Sequence, residues 1–98
     1  MIQTGVASFD QGSTPRWNLN SGTGDRSFES VDIPFPQPFA APPNVAVALS
    51  GVDGEHNVNL RVWVEAVDVE GHEFNIRIHT WADTLLYLVR VTWIAFDG

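Results

Sequence analysis

The chain has 98 residues, of which 44% are hydrophobic and 17% charged, and this composition supports a folded domain with one core. Its formal net charge is −7, and all of its cations are arginines: Arg16, Arg26, Arg61, Arg77 and Arg90. An acidic surface without a basic patch repels phosphate, so we exclude nucleic acid and anionic lipid as partners. The absence of cysteine excludes disulfides and thiolate metal sites. We expect residues 1–98 to form one domain.

No apolar run is long enough to cross a membrane, and no signal peptide precedes Ile2. We therefore expect either a cytoplasmic protein or one in which Met1 stands where a leader was removed.

Turn residues recur along the chain and the apolar residues alternate with period two, so the sequence predicts an all-β fold. The first predicted strand is Ile2 to Phe9. A polar, glycine-rich loop follows from Asp10 to Ser30, and we expect Trp17 to pin it. Loops of this length in compact domains are usually functional or packed on a neighbour. A short strand is predicted from Ser30 to Phe35, and then a connector, PFPQPFAAPPN, whose prolines cannot donate to a central ladder.

The next predicted strand runs from Asn44 to Gly51, and the segment VDGEHNVN after it is predicted to be a turn. A long strand is predicted from Asn59 to Val69, ending at a turn over residues 70–72. Alternation along the long strand predicts a core stripe of Leu60, Val62, Val64 and Ala66. The outer stripe is then Arg61, Trp63, Glu65 and Val67.

The stretch from Phe74 to Trp93 predicts a closing hairpin with a short polar turn, which we expect Asp83 and Thr84 to cap. On its first strand the predicted core stripe is Phe74, Ile76, Ile78 and Thr80, and the outer stripe is Asn75, Arg77, His79 and Trp81. On its second strand the predicted core stripe is Tyr87, Val89, Val91 and Trp93. The opposite stripe of Leu88, Arg90, Thr92 and Ile94 is too apolar for open water, and together with Trp63 and Val67 it predicts a subunit interface.

A family resemblance follows from residues spread along the whole chain in a fixed order. They are Ile2-Gln3-Thr4-Gly5, Trp17, Phe35, Pro38-Phe39, Pro42-Pro43-x-Val45-x-Val47, Asp53, Leu60-Arg61-Val62, Phe74, Thr80-Trp81-x-Asp83-Thr84-x-x-Tyr87 and Trp93-Ile94-Ala95. This pattern resembles the H-type lectins, the agglutinin domains of snails and slime moulds with relatives in many microbes. The resemblance implies a small antiparallel β-sandwich that assembles as a trimer or hexamer. It also implies binding of N-acetylgalactosamine (GalNAc) or galactose between subunits. We expect no cofactor, and we expect a secreted or cell-surface protein, with a cytoplasmic one as the alternative.

The resemblance assigns ligand-binding roles to five residues. Arg61 matches the family's sugar-contacting arginine, Trp81 its site tryptophan and Tyr87 a tyrosine of the adjoining strand. Asp25, with Gly24 beside it, matches an aspartate that the family supplies across the subunit boundary, although the order here differs from the Gly-Arg-Asp of the snail lectins. The snail proteins carry a histidine directly after the tryptophan, where this chain has Ala82. They also use cysteines, so any hexamer here would be noncovalent.

Three of these residues also have a purely structural interpretation. Arg61 could pair with Glu65 or Asp83 on a solvated face, Trp81 could be a subunit contact, and Asp25 in a glycine-rich segment could form a turn. A structural trimerisation module without sugar binding, or a fragment of a glycan-processing enzyme, are the rival functions.

The sequence predicts neither an enzyme nor a metal site. His56, His72 and His79 lie among many acids, but no nucleophile elbow accompanies them and no zinc spacing is recognisable. The segment from Asp53 to Asn59 alternates oxygen ligands like a calcium loop but lacks the central glycine and terminal glutamate of that motif. We interpret it as a turn.

Overall fold

A computed structural model describes all of residues 1–98 and contains seven strands and no helix. The strands are β1 (Ile2–Asp10), β2 (Arg26–Glu29), β3 (Ile33–Pro34), β4 (Asn44–Gly54), β5 (Trp63–Val67), β6 (Glu73–Thr80) and β7 (Leu86–Phe96). All pairings are antiparallel, which confirms the predicted all-β class. The structure has no helix of the length and apolarity needed to cross a membrane.

The strands form two sheets that face each other as a sandwich. The first sheet has the order β1-β7-β4, with β7 in the centre. In the second sheet β6 is central: β2 and β5 lie on its two sides because both pair with residues 77–79, and β3 pairs with its beginning. The molecule is elongated, with extents of 45 × 21 × 20 Å. Met1 and Asp97 meet at one end, where the terminal ammonium contacts the Asp97 carboxylate.

The core lies where the apolar faces of β6 and β7 meet. The predicted β6 stripe of Phe74, Ile76, Ile78 and Thr80 is fully buried, as are Val89 and Val91 on β7, so alternation predicted these positions correctly. Tyr87, predicted to begin the β7 stripe, is only half-buried, and Leu86 is the buried residue at the start of that strand. The Phe74 and Trp93 rings meet edge to face with centroids 5.3 Å apart, which joins the two sheets. Phe35 and Phe39, from the proline-rich connector, close the same end of the core.

The predicted closing hairpin is wrong, because β6 and β7 belong to different sheets. Each strand has one strongly apolar face, and in a hairpin both faces would point the same way and need a third layer to cover them. The chain instead crosses from one sheet to the other through residues 81–85, so the two faces cover each other. We call residues 81–85 the crossover.

The predicted long strand from Asn59 to Val69 is also shorter in the structure, where only Trp63–Val67 pairs with β6. Leu60 was predicted to lie in the core, but it is 54% exposed. The reason is that side chains engage the backbone before Trp63: the Thr80 hydroxyl donates to the Arg61 carbonyl, and the Thr84 hydroxyl donates to the Asn59 carbonyl. Side-chain hydroxyls thus bond to the backbone in the segment where a longer β5 would have made its ladder bonds.

The predicted loop from Asp10 to Ser30 contains a strand, β2, and is therefore limited to residues 11–25. The single apolar Phe28 of that strand is buried, but one residue cannot reveal a period in a polar segment. The role predicted for Trp17 is confirmed, since its indole N–H donates to the Leu86 carbonyl at 2.9 Å and its ring packs on Phe28. The predicted strand from Ser30 to Phe35 is reduced to β3, and β4 continues to Gly54, into the predicted turn.

The residues predicted to form one subunit interface lie on two opposite outer faces. Leu88 and Ile94 point outward from the first sheet, whereas Trp63 and Val67 point outward from the second. They cannot form one continuous surface. The outer face of the first sheet is mainly aliphatic, and its exposed apolar side chains include Ile2, Val6, Ala46, Ala48 and Ile94, with the aromatic Phe96 at the end of β7.

We predict that Gly5→Ala destabilises the protein. A Cβ atom on Gly5 would lie 2.5 Å from the Trp93 ring, and relieving that overlap should lower the free energy of unfolding by about 1–3 kcal/mol. Urea denaturation measures the change. Gly12→Ala is the matched control, because its nearest neighbour would be 3.8 Å away, and it should leave stability nearly unchanged. Equal effects of the two substitutions would contradict the close packing of β1 against Trp93.

Candidate functional site

The candidate site is built around the crossover, at the end of the sandwich opposite the chain termini. Trp81 begins the crossover directly after β6 and is 36% exposed. Ala82 has a φ of 58°, and the Thr84 N–H points back to the Trp81 carbonyl at 3.4 Å. This reversal presents the Trp81 indole on the outer side of the second sheet. An alanine in the left-handed region costs free energy that the surrounding contacts must offset.

Arg61 lies beside the crossover and is fixed by it. Its Nη1 donates to Asp83 Oδ1 at 2.8 Å and to Thr84 Oγ1 at 3.1 Å. Of the two partners that the sequence suggested, Asp83 is therefore correct, whereas Glu65 pairs with Arg77. Nε and Nη2 of Arg61 have no hydrogen-bond acceptor within the protein, so two edges of the guanidinium fork are available to a ligand.

Asp83 and Thr84 do not cap a hairpin turn as predicted. Asp83 holds Arg61, and Thr84 is buried, donating to the Asn59 carbonyl at 2.6 Å while it accepts from Arg61. Both side chains therefore tie the segment before β5 to the crossover, because the backbone there has no ladder partner to do so.

The glycine-rich segment of residues 21–25 packs against the crossover of the same chain. Gly24 has a φ of 78°, a conformation that favours glycine, and its N–H donates to the Ala82 carbonyl at 2.9 Å. Asp25 is exposed one residue beyond this contact. The structure thus brings the predicted residues Gly24, Asp25, Arg61 and Trp81 to one end of the molecule.

Arg26 holds this end together, and sequence reasoning missed its role. Its guanidinium donates to four carbonyls, two in the glycine-rich segment and two in the crossover: those of Ser21, Gly24, Ala82 and Thr84. One planar fork therefore fixes both loops with charge-assisted bonds. The only sequence signal was an arginine next to a flexible glycine segment in a chain with few cations.

Tyr87 stands apart from the other predicted site residues. It is half-buried on β7, and its hydroxyl donates to Glu55 Oε2 at 2.8 Å rather than to a group of the Arg61 cluster. That hydrogen bond lowers the pKa of the Glu55 carboxyl and raises the pKa of the Tyr87 hydroxyl. Glu55 is thus engaged by protein donors, which fits the interpretation of its segment as a turn rather than a calcium loop.

An aromatic row adjoins the Arg61 cluster on the outer face of the second sheet. Trp63 stacks on His79 with ring centroids 4.8 Å apart and planes at 27°, and His79 lies 5.9 Å from Trp81 at 31°. The next cross-strand row is an ion network in which Arg77 contacts Glu29 and Glu65 at 3.3 and 3.2 Å. Alternation predicted that these side chains share a face, but the pairing of β5 with β6 is what places the rings in contact.

Two other features lie away from this end. A cleft of about 940 Å³ opens between the end of β1, the loop after it and β2, and none of the five predicted site residues lines it. Glu70, His72 and Glu73, at the beginning of β6, are close enough together to hold a metal ion. Partial burial and the neighbouring Asp32 carboxyl raise the pKa of Glu73. Because Trp81 follows the other end of β6, this group is separate from the candidate site at the crossover.

The structure is a helix-free sandwich of two antiparallel sheets, with an arginine, an indole and a carboxylate at one end. The chain belongs to the H-type lectin family, whose domain model matches residues 30–96. It is 37% identical over 78 residues to the protein "ATP synthase subunits region ORF 7" of Fuscovulum blasticum, covering 80% of this chain and 67% of that one.

The fold is similar to that of discoidin II of Dictyostelium discoideum. A recombinant discoidin II superposes with a TM-score of 0.84 at 25% identity, over 100% of this chain and 38% of that one. The wild-type protein gives the same score over 99% of this chain and 36% of that one. The chain therefore spans little more than a third of discoidin II. The predicted β-sandwich of the H-type lectin kind is confirmed.

We predict that Tyr87→Phe reduces the pH dependence of stability at both ends of the scale. The lowered pKa of Glu55 stabilises the fold above the ordinary value of 4.5 and is lost as the pH falls through the lowered pKa. The raised pKa of Tyr87 stabilises the fold below 10.0 and is lost as the pH rises through the raised pKa. Thermal melts across the pH range should therefore show the variant less stable than wild type near neutrality and closer to it at both extremes. A constant difference at all pH values would contradict the Tyr87–Glu55 bond.

Proposed function

We propose that this chain is a lectin domain that binds galactose-type sugars, GalNAc and galactose, at the crossover end. The observation that carries the proposal is that the Arg61 guanidinium is held in place and still has free hydrogen-bond donors. Its guanidinium is oriented by Asp83 and Thr84 through Nη1 alone, and its free edges lie at the same end as the exposed Trp81. A prearranged fork beside an accessible indole is suited to a small polar ligand with one apolar face.

A pyranose has these properties. Its vicinal hydroxyls can accept from a guanidinium and donate to a carboxylate, and its C–H face packs on an aromatic ring. Arg61, Asp25 and Trp81 are the groups that offer these three functions. None of them requires a metal or a chemical step, so we propose binding without catalysis.

Ala82, in place of the histidine of the snail lectins, offers no side-chain hydrogen bond, and we propose that both galactose and GalNAc are accepted.

We propose that the domain acts as a trimer, with the option of a noncovalent hexamer, and that its subunits meet through the aliphatic outer face of the first sheet. Central β7 contributes a single charged side chain, Arg90, to this face, together with the exposed Ile94 and Phe96 further along the strand. A shallow site binds weakly, since a millimolar dissociation constant corresponds to about −4 kcal/mol. Repetition of the site around an oligomer adds avidity, as a secreted or cell-surface agglutinin would need. In such an assembly Asp25 serves the site of the neighbouring subunit.

We predict that Arg61→Ala and Trp81→Ala each abolish detectable binding of galactose and GalNAc in calorimetric titrations. Charged hydrogen bonds contribute about 1.5–3 kcal/mol, a large part of the free energy of a weak site. Both variants should fold, because Asp83 is left in solvent and Trp81 lies outside the core.

Titrations in EDTA should match those without it, because none of the site groups is a metal ligand here.

Arg16→Ala is the matched control, since Arg16 is an exposed arginine outside both sheets and its loss should not change binding. Asp25→Asn should weaken binding. Mixing Asp25→Asn with Arg61→Ala subunits should restore some intact sites if Asp25 acts across the boundary. Wild-type affinity in Arg61→Ala would show that sugars bind elsewhere, and the absence of sugar binding in wild type would favour the structural trimerisation module.

We predict that Ile94→Glu disperses the oligomer. Ile94 lies at the centre of the aliphatic face, between Thr4 and Ala46 on the flanking strands, so a carboxylate there would be buried without a partner in any assembly through this face. Light scattering should give the mass of a trimer or more for wild type and of a monomer for the variant. The exposed Val31, outside both sheets, provides the control substitution Val31→Glu. A wild-type monomer at micromolar concentration, or an unchanged mass in Ile94→Glu, would contradict assembly through this face.

A further inference from the structure

We propose that the sugar site continues from Trp81 across His79 to Trp63, where the second ring of a neutral oligosaccharide packs. This inference rests on the proposed lectin function and identifies the ligand as a glycan of at least two residues.

The geometry of the aromatic row carries the inference. Trp63 and His79 are cross-strand partners in β5 and β6, and Trp81 follows His79 by two positions on the same face. The centroid spacings of 4.8 and 5.9 Å make the three rings one continuous row from the sheet edge to the crossover. A sugar bound by Arg61 and Trp81 would therefore lie at one end of the row, and Trp63 would mark the other.

Trp63 is not needed for the core. It is 41% exposed, and its neighbours in the chain, Val62 and Val64, are the residues that pack on the core. The Trp63 and Trp81 indole N–H groups donate to no protein acceptor, whereas that of Trp17 is held by the Leu86 carbonyl. An exposed indole offers both an apolar surface and a free donor, which are the two properties that sugar rings use.

The surroundings of Trp63 favour a glycan over a subunit. The adjoining row on this face is the charged network of Glu29, Arg77 and Glu65, and interface cores are depleted of charge. The aliphatic outer face of the first sheet is the better surface for assembly. The network carries two carboxylates for one guanidinium, and the whole chain has a charge of −7, so a neutral glycan is favoured over a sialylated one.

The test is calorimetric titration with galactose, with neutral disaccharides that carry terminal galactose in different linkages, and with sialyllactose. At least one disaccharide should bind wild type roughly threefold to tenfold more tightly than galactose, the range expected for one added aromatic contact. Trp63→Ala should lower the affinity for that disaccharide to the affinity for galactose, and it should leave the affinity for galactose unchanged. Trp63→Phe should retain part of the gain, and Val67→Ala, on the same face, should retain all of it. Sialyllactose should show no gain.

Failure of this inference differs from failure of the proposed function. If wild type binds galactose but no disaccharide binds more tightly, or if the gain survives Trp63→Ala, the extension to Trp63 is overturned while the lectin site stands. A lower native mass of Trp63→Ala, with equal losses for galactose and disaccharide, would make Trp63 a subunit contact and also overturn it. If wild type binds no sugar of this type, both proposals fall together.

Discussion

The structure depends on one constraint: the apolar faces of β6 and β7 must cover each other, so the chain has to cross between sheets at residues 81–85. A crossing segment has no ladder to satisfy its backbone groups. The rest of this end of the molecule supplies them. The crossover carbonyls accept from Gly24, Arg26 and the Glu55 N–H, and at the start of β7 Leu86 bonds to Leu19 and Trp17. Polar groups are concentrated at this end because they form the hydrogen bonds that the crossover backbone lacks. The same polar groups make a ligand site possible there.

Alternation in the sequence was sufficient to predict the all-β class, the buried face of β6, the buried face of β7 from Val89 onward and the outward position of Trp81. It could not distinguish a hairpin from a crossover, because period two is the same whether successive strands pair or face each other. The crossover is favoured over the hairpin because it covers both apolar faces, and that coverage depends on the whole fold. Arg26 escaped prediction for a related reason: its acceptors are carbonyls, which every residue has, so no sequence pattern identifies them.

The two outer faces of the sandwich differ in chemistry, although the sequence predicted one interface from residues of both. The first sheet presents aliphatic side chains, whereas the second presents aromatic rings beside a charged network. Large aliphatic surfaces stabilise protein contacts, while mixed aromatic and polar surfaces suit sugars. Since the faces lie on opposite sides, contact through one leaves the other accessible.

Met1 and Asp97 meet at the end of the molecule opposite the crossover, and the molecule is 45 Å long. This position of the termini determines how the domain is oriented relative to any attached segment. Any segment joined to either terminus leaves from the end opposite the crossover. A segment attached before β1, after β7 or at both therefore lies at the end of the molecule far from the crossover. The fold can therefore be joined to other segments through one terminus or through both, and in each case the crossover end is directed away from the junction.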